Sequence, residues 1–163
     1  MWYLLIFVLG AVLGGQLNRW IYRLACRRRD ISPWSEPPVG APPRRCRDLL
    51  PIVGWLGLRR EGPLHGRAFW VRPLLIEFAS GAGLAVLYWW EVEQAALLPQ
   101  LAAASLDRWL LHAQYAGHVA LFALMLVATF IDFDEKTIPE AITVPGGLLG
   151  FVFFAFVRAA APP

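Results

Sequence analysis

Charge is what this chain has least of. Only 17% of its 163 residues are Asp, Glu, Lys or Arg, while 58% are hydrophobic; a soluble domain usually carries about 25% charged residues. Cysteine is almost missing, with Cys26 and Cys46 alone, too few for a four-ligand structural zinc site. Both fall in a basic stretch that is placed below in the cytosol, where thiols stay reduced, so no disulfide is expected. The sequence has no Cys-x-x-Cys pair, no His-Glu-x-x-His and no phosphate-cradling glycine loop. His65, His112 and His118 stand apart from one another. No metal site and no bound cofactor are expected from these residues. No internal repeat is visible.

What the chain does have is apolar blocks. Residues 1–17 are apolar up to Gln16, 73–90 carry Glu77 as their one charge, 118–131 are apolar after the histidine, and 142–157 are uncharged. A membrane crossing takes about 20 predominantly apolar residues. The last two blocks are short by that measure, so their helices are expected to extend into flanks such as 110–117. The expected fold class is an all-α integral membrane protein with about four transmembrane helices and a Pro/Arg-rich loop between the first two. The first block is expected to stay on the chain. No basic residue precedes Arg19 and no small-x-small cleavage site follows. Arg19 and Arg23 interrupt the faint lipoprotein-like run Leu24-Ala25-Cys26.

Basic residues set the orientation. Of 15 Lys and Arg residues, 12 lie between Arg19 and Arg72, and the loop 91–115 holds only Arg108. Positive charge accumulates on the cytoplasmic side, which puts the N-terminus outside, the loop of about 18–72 inside, 91–115 outside and 132–141 inside. The net charge of +3 is thus a topology signal and the lipid bilayer the partner. Nucleic acid is not expected, because the arginines lack aromatic interleaving or a binding motif. Three regions follow: 1–90 with the first two helices and their loop, 91–115 as an extracytoplasmic loop, and 116–163 as a further membrane region.

Pro33, Pro37, Pro38, Pro42 and Pro43 forbid a long helix over 30–51. The apolar run 49–58 is too short to span and is expected to lie at the membrane interface. Residues 97–112 are expected to form an amphipathic helix on the outer side. Gly10 and Gly14, and again Gly146 and Gly150, have the spacing that lets membrane helices approach closely.

Three polar features stand against this background. Asp132 and Asp134 follow an uncharged run at its cytoplasmic end; a partly desolvated aspartate there holds or takes a proton near neutral pH, or is an ordinary acidic turn before a helix opened by Pro139. Glu77 lies near the inner end of the second block, suited either to headgroups and Arg72 or to chemistry. Asn18, Arg19 and Arg23 end the first helix beside Trp20 and Tyr22, as an interfacial anchor does.

In order along the chain, these features resemble the prepilin peptidase family. Gly14, Leu17, Asn18, Tyr22 and Arg23 fit its Gly-x-x-Leu-Asn-x-x-x-Tyr-Arg run. Pro51, Trp55 and Leu56, then Arg59 and Arg60, are similar to its Pro-x-x-x-Trp-Leu segment with a basic stretch. Arg72, Pro73, Leu74, Glu77 and Gly81 are similar to its Arg-x-Pro-Leu-x-Glu-x-x-x-Gly opening of the second helix. Ile131, Asp132, Asp134, Ile138, Pro139, Glu140, Thr143 and Pro145 fill its Ile-Asp-x-Asp…Pro…Thr-x-Pro frame. The resemblance implies a membrane aspartic endopeptidase that removes the basic leader of type IV prepilins, or of type II secretion pseudopilins, at the cytoplasmic face of the bacterial inner membrane. It makes 116–163 the start of the catalytic domain and Asp132 the first catalytic aspartate. Asp134, Glu77, Asn18, Arg23 and Arg72 are its supporting residues.

The sequence departs from that pattern twice. The two Cys-x-x-Cys pairs that many relatives carry in the first loop are replaced around 32–35 and 60–66, so no zinc is expected and other contacts must hold the loop. S-adenosylmethionine is implied only if the methylation known from some relatives is retained. The family's second aspartate, in Gly-x-Gly-Asp, does not occur in these 163 residues, where Gly146-Gly147 is followed by leucines. Two readings follow: a peptidase completed by a separately encoded C-terminal half, or a non-catalytic truncated homologue that binds prepilin or the pilus or secretion machinery.

Overall fold

A computed structural model describes residues 1–25, 31–97 and 108–160. All regular structure among them is helical: α1 (Trp2–Leu24), α2 (Val53–Leu58), α3 (Gly62–His65), α4 (Val71–Tyr88), α5 (Arg108–Glu135) and α6 (Glu140–Ala160). The chain is an all-α membrane protein. Its residues fall into two compact units, Met1–Ala85 and Val86–Pro163.

Among the described residues, three helices are long and apolar enough to cross a bilayer: Trp2–Leu24, Val71–Glu93 and Arg108–Glu135. The third begins at Arg108, so 110–117 are helical as expected. The fourth expected crossing lies in α6, a helix of 21 residues, of which the described part Glu140–Phe153 is apolar. Pro145 sits inside that helix, in its second turn, where it leaves the Ala141 carbonyl without its usual N–H donor. The expected outer helix over 97–112 falls mostly outside the described residues, as does Cys26; Cys46 is exposed and unpaired.

In the first unit, α1 and α4 meet on a stripe of small side chains. A Cβ at Gly10 would come 2.9 Å from Gly81 Cα, and one at Gly14 would come 2.7 Å from Glu77 Cα. The first expected glycine pair therefore works as a close-packing face. Among the described residues, a Cβ at Gly150 would meet nothing within 4 Å and one at Gly146 would meet Leu124 Cδ1 at 3.3 Å. Leu4, Leu5, Val8, Leu9 and Val12 on α1 are exposed, as side chains turned to lipid would be.

Between these helices the Pro/Arg loop is ordered by charge. Proline lacks an N–H, so a proline-rich segment has more carbonyls than donors. Arg44 supplies the difference. Its Nη1 donates to the carbonyls of Ser32 (2.7 Å), Pro33 (3.2 Å) and Ser35 (2.6 Å). Its Nε and Nη2 grip both oxygens of Glu61 at 3.0 and 3.1 Å. Arg60 repeats the device, donating to Pro43 O at 3.0 Å and to Asp48 Oδ2. Asp48 Oδ2 also accepts the Arg45 N–H at 2.8 Å. Two buried carboxylates, Asp48 and Glu61, thus fasten the loop where the sequence has no cysteine pairs.

In the second unit the helix of α4 continues through a π-helical turn, Trp89–Glu93, closed by Gln94 N–H to Trp89 O at 3.0 Å. Glu91 therefore lies in the continued helix and is buried. His118 does not stand alone either: its Nδ1 lies 2.5 Å from Glu91 Oε1. That approach lacks the alignment of a hydrogen bond, and Glu91 Oε2 has no partner among the described residues. The rings of Tyr88 and Tyr115 meet edge to face beside the pair, 5.3 Å apart. Sequence spacing gave no hint of it, since 27 positions of chain separate the two side chains.

Two outcomes test these contacts. Asp48 is raised by burial, but the Arg45 N–H, the Arg60 guanidinium and the charge of Arg47 outweigh that and hold its carboxyl below the usual 3.8. Its stabilising contribution is complete above the ordinary aspartate range and is lost as pH falls through the lower folded value. Proteolysis of the 31–61 loop should therefore accelerate only in strong acid. Asp48→Asn should bring that fast cleavage to neutral pH and lower stability by about 1–3 kcal/mol. For the other pair, Glu91→Gln and His118→Gln should each lower the unfolding temperature. A double-mutant cycle should return a coupling of about 0.5–3 kcal/mol; simple additivity would mean the two groups do not interact.

Candidate functional site

Glu77 and Asp48 are the two fully enclosed carboxylates among the described residues of the first unit. The buried face of α4 repeats through Pro73, Ile76, Glu77, Ser80 and Gly81, so the helical period turns Glu77 inward with its apolar neighbours. Its exposure is 0%. An ionised carboxylate is an acceptor only, and here the donors come from the loop. Ile52 N–H reaches Oε2 at 2.5 Å and Trp55 Nε1–H reaches Oε1 at 2.7 Å. Asn18 on α1 adds a side-chain hydrogen bond and donates from Nδ2 to Pro73 O at 2.9 Å. Gly15 leaves room for this: a Cβ there would sit 3.1 Å from Glu77 Oε1 and would strike the Trp34 ring.

The backbone at Ile52 is strained. Its φ of 64° and ψ of −60°, with Val53 N–H bonded to Pro51 O at 2.6 Å, make a γ-turn of the rare left-handed kind. A β-branched residue disfavours positive φ. The Glu77 carboxylate holds the amide that such a turn leaves pointing into the protein. Trp34 closes the other side, with Nε1–H on Leu49 O at 3.0 Å. Glu77 thereby joins α1, α4 and the loop by hydrogen bonds. Of the residues singled out in the sequence, Asn18 and Glu77 are brought together here. Arg72 is half-buried one residue before Pro73, and Arg23 lies exposed at the end of α1. Trp34, Ile52 and Trp55 complete the site; only Trp55 stood in a recognisable motif.

Asp132 and Asp134 belong to the second unit. The helix does not stop at Asp132 but runs on to Glu135, and Lys136 closes it with a φ of 57°, its N–H on Asp132 O at 2.7 Å. Both aspartates are exposed in the last turn, next to fully buried Ile131. Two residues apart, they point to different sides of the helix and do not form a pair. Their position weighs against a capping role. Carboxylates stabilise helix N-termini and are disfavoured at C-termini, by about 0.3–1 kcal/mol each, and no basic residue occupies this last turn. Among the described residues, no three His, Cys, Asp or Glu side chains gather as a metal site.

The Glu77 contacts predict an ordered series. Glu77→Gln should lower stability by about 1–3 kcal/mol, since one amide –NH2 would face the donor of Ile52 or Trp55. Glu77→Ala should lose more and open the 49–58 segment to protease. Thermal unfolding in micelles and the cleavage rate read both; an unchanged Glu77→Ala would remove Glu77 from this role.

Comparison with known proteins gives one measure of kinship. No family model matches the chain, and no solved structure is similar to it. The chain is 28% identical over 145 residues to a prepilin leader peptidase/N-methyltransferase of Myxococcus xanthus (strain DK1622). The aligned stretch covers 89% of this chain and 38% of that relative. The order of motifs from Asn18 through Glu77 to Asp132 and this similarity agree, and this all-helical membrane protein is related to the prepilin peptidase family.

Proposed function

We propose that the chain contributes the first catalytic aspartate of a membrane aspartic endopeptidase that removes the basic leader of type IV prepilins or pseudopilins. The observation that carries this reading is Asp132, exposed in the last turn of a span-length helix where its charge works against helix stability. A residue kept where it is locally unfavourable is better explained by chemistry than by folding. The kinship with a prepilin leader peptidase supports the substrate class. In this reading the loop side of the membrane is the cytoplasm and the N-terminus is outside, because 12 of the 15 basic residues lie between Arg19 and Arg72. The membrane is the bacterial inner membrane.

Aspartic proteolysis takes two carboxylates that share one proton. The ionised one activates water, and the protonated one serves the leaving group. Asp134 points away from Asp132, and Glu77 has its oxygens engaged by Ile52, Trp55 and Asn18. The second carboxylate is therefore assigned to a complementary segment with Gly-x-Gly-Asp. Asn18, Glu77, Arg23 and Arg72 take supporting roles, the first two by shaping the loop through which substrate would approach.

The test is leader cleavage of a prepilin by membranes holding this chain together with such a segment. Asp132→Asn or Asp132→Ala should reduce cleavage by about 100-fold or more, while Asp134→Asn leaves most of it. Equal loss in both variants would overturn the assignment of Asp132. Prepilin capture without cleavage by the wild-type pair would favour a binding homologue.

A further inference from the structure

A second surface lies on the loop, away from the Glu77 carboxylate itself. The 3₁₀ turn Cys46–Leu49 crosses α2 at two glycines. A Cβ at either Gly54 or Gly57 would collide with Asp48. That side of α2 is closed, and Trp55 and Leu58 are buried as well. Val53 and Leu56, one turn apart on the remaining side, are 50% and 48% exposed, and the neighbouring Leu50 is 54% exposed. Arg45, Arg47 and Arg59 rim the same segment, all exposed.

The depth of this surface is fixed by its tether. Glu77 is six residues beyond Val71 in α4, about 9 Å along the axis, and helical side chains lean back toward the N-terminus. Its hydrogen bond to Ile52 N–H therefore holds residues 50–56 at the first turns of a membrane-crossing helix, where hydrocarbon gives way to headgroups. Apolar side chains at that level with a cationic rim match one environment: acyl chains below and phosphates above. We propose that Leu50, Val53 and Leu56 form a membrane-docking wedge that takes anionic phospholipid, with Arg45, Arg47 and Arg59 on the phosphates. Its charge selects anionic over zwitterionic headgroups.

The full chain in nanodiscs tests this. An NBD label at V53C or L56C, with Cys26 and Cys46 replaced by serine, should be quenched by doxyl lipid and shielded from aqueous iodide. The same label at V39C, where the side chain is fully exposed, should show the reverse. In the unlabelled wild-type chain, amides of 52–58 should exchange at least about 10-fold more slowly with phosphatidylglycerol than with phosphatidylcholine, which a gain of one tenfold step in docking would give. The triple variant R45Q/R47Q/R59Q should erase that difference. Iodide quenching at 53 and 56 equal to that at 39 would overturn the proposal. So would shielding from both quenchers, which would put a protein partner on the face. Exchange that is indifferent to headgroup charge would overturn the anionic specificity.

Discussion

One acidic side chain facing inward from a membrane helix has to be satisfied, and much of the first unit is arranged to do so. Near the hydrocarbon there is little water to solvate a carboxylate, and an unmet acceptor is costly there. Glu77 is met by Ile52 N–H, by the Trp55 indole and by Asn18. Each donor imposes a further constraint. The Ile52 amide is presented by a strained γ-turn, Trp55 needs α2 to be helical, and Asn18 needs α1 close to α4. That closeness in turn requires glycine at positions 10, 14 and 15, where any side chain would strike α4, Trp34 or Glu77 itself. The sequence run from Gly10 to Asn18 and the run from Pro51 to Trp55 are thus two halves of one solvation shell.

The loop solves a related problem without a core of its own. A segment dense in proline cannot close its hydrogen bonds internally, and it is too short and polar to bury much apolar surface. Arg44 and Arg60 answer both needs, each donating to loop carbonyls and to a buried carboxylate. Guanidinium suits this work better than ammonium would, because its planar fork serves a carboxylate and several carbonyls at once. Buried ion pairs add modest net stability but are highly selective for one arrangement, and this loop has a single arrangement to keep. The same rigidity presents the apolar wedge at a fixed depth.

In the proposed reading, function sits at the opposite kind of place. Asp132 is neither enclosed nor helpful to the helix that carries it, and exposure leaves it open to a substrate. The contrast between a buried, saturated Glu77 and an exposed Asp132 separates a residue that builds the fold from one available for chemistry.

Hydropathy alone determined that the chain is helical and lives in a membrane, because unbroken apolar runs near span length lack the alternation of a barrel strand and satisfy their backbone in lipid as helices. The order of short motifs carried the resemblance to prepilin peptidases, and local signals such as Pro139 before α6 marked helix boundaries. What only tertiary structure decided are the partners across sequence distance. Glu77 with Ile52, Arg44 with Glu61 and Glu91 with His118 are separated by 25, 17 and 27 positions. No local period encodes such pairs, since they depend on which helix faces turn toward each other. The limits of α5 were hidden for a similar reason. Aspartates suggest a helix end in sequence, yet backbone hydrogen bonds carry the helix past both of them to Glu135.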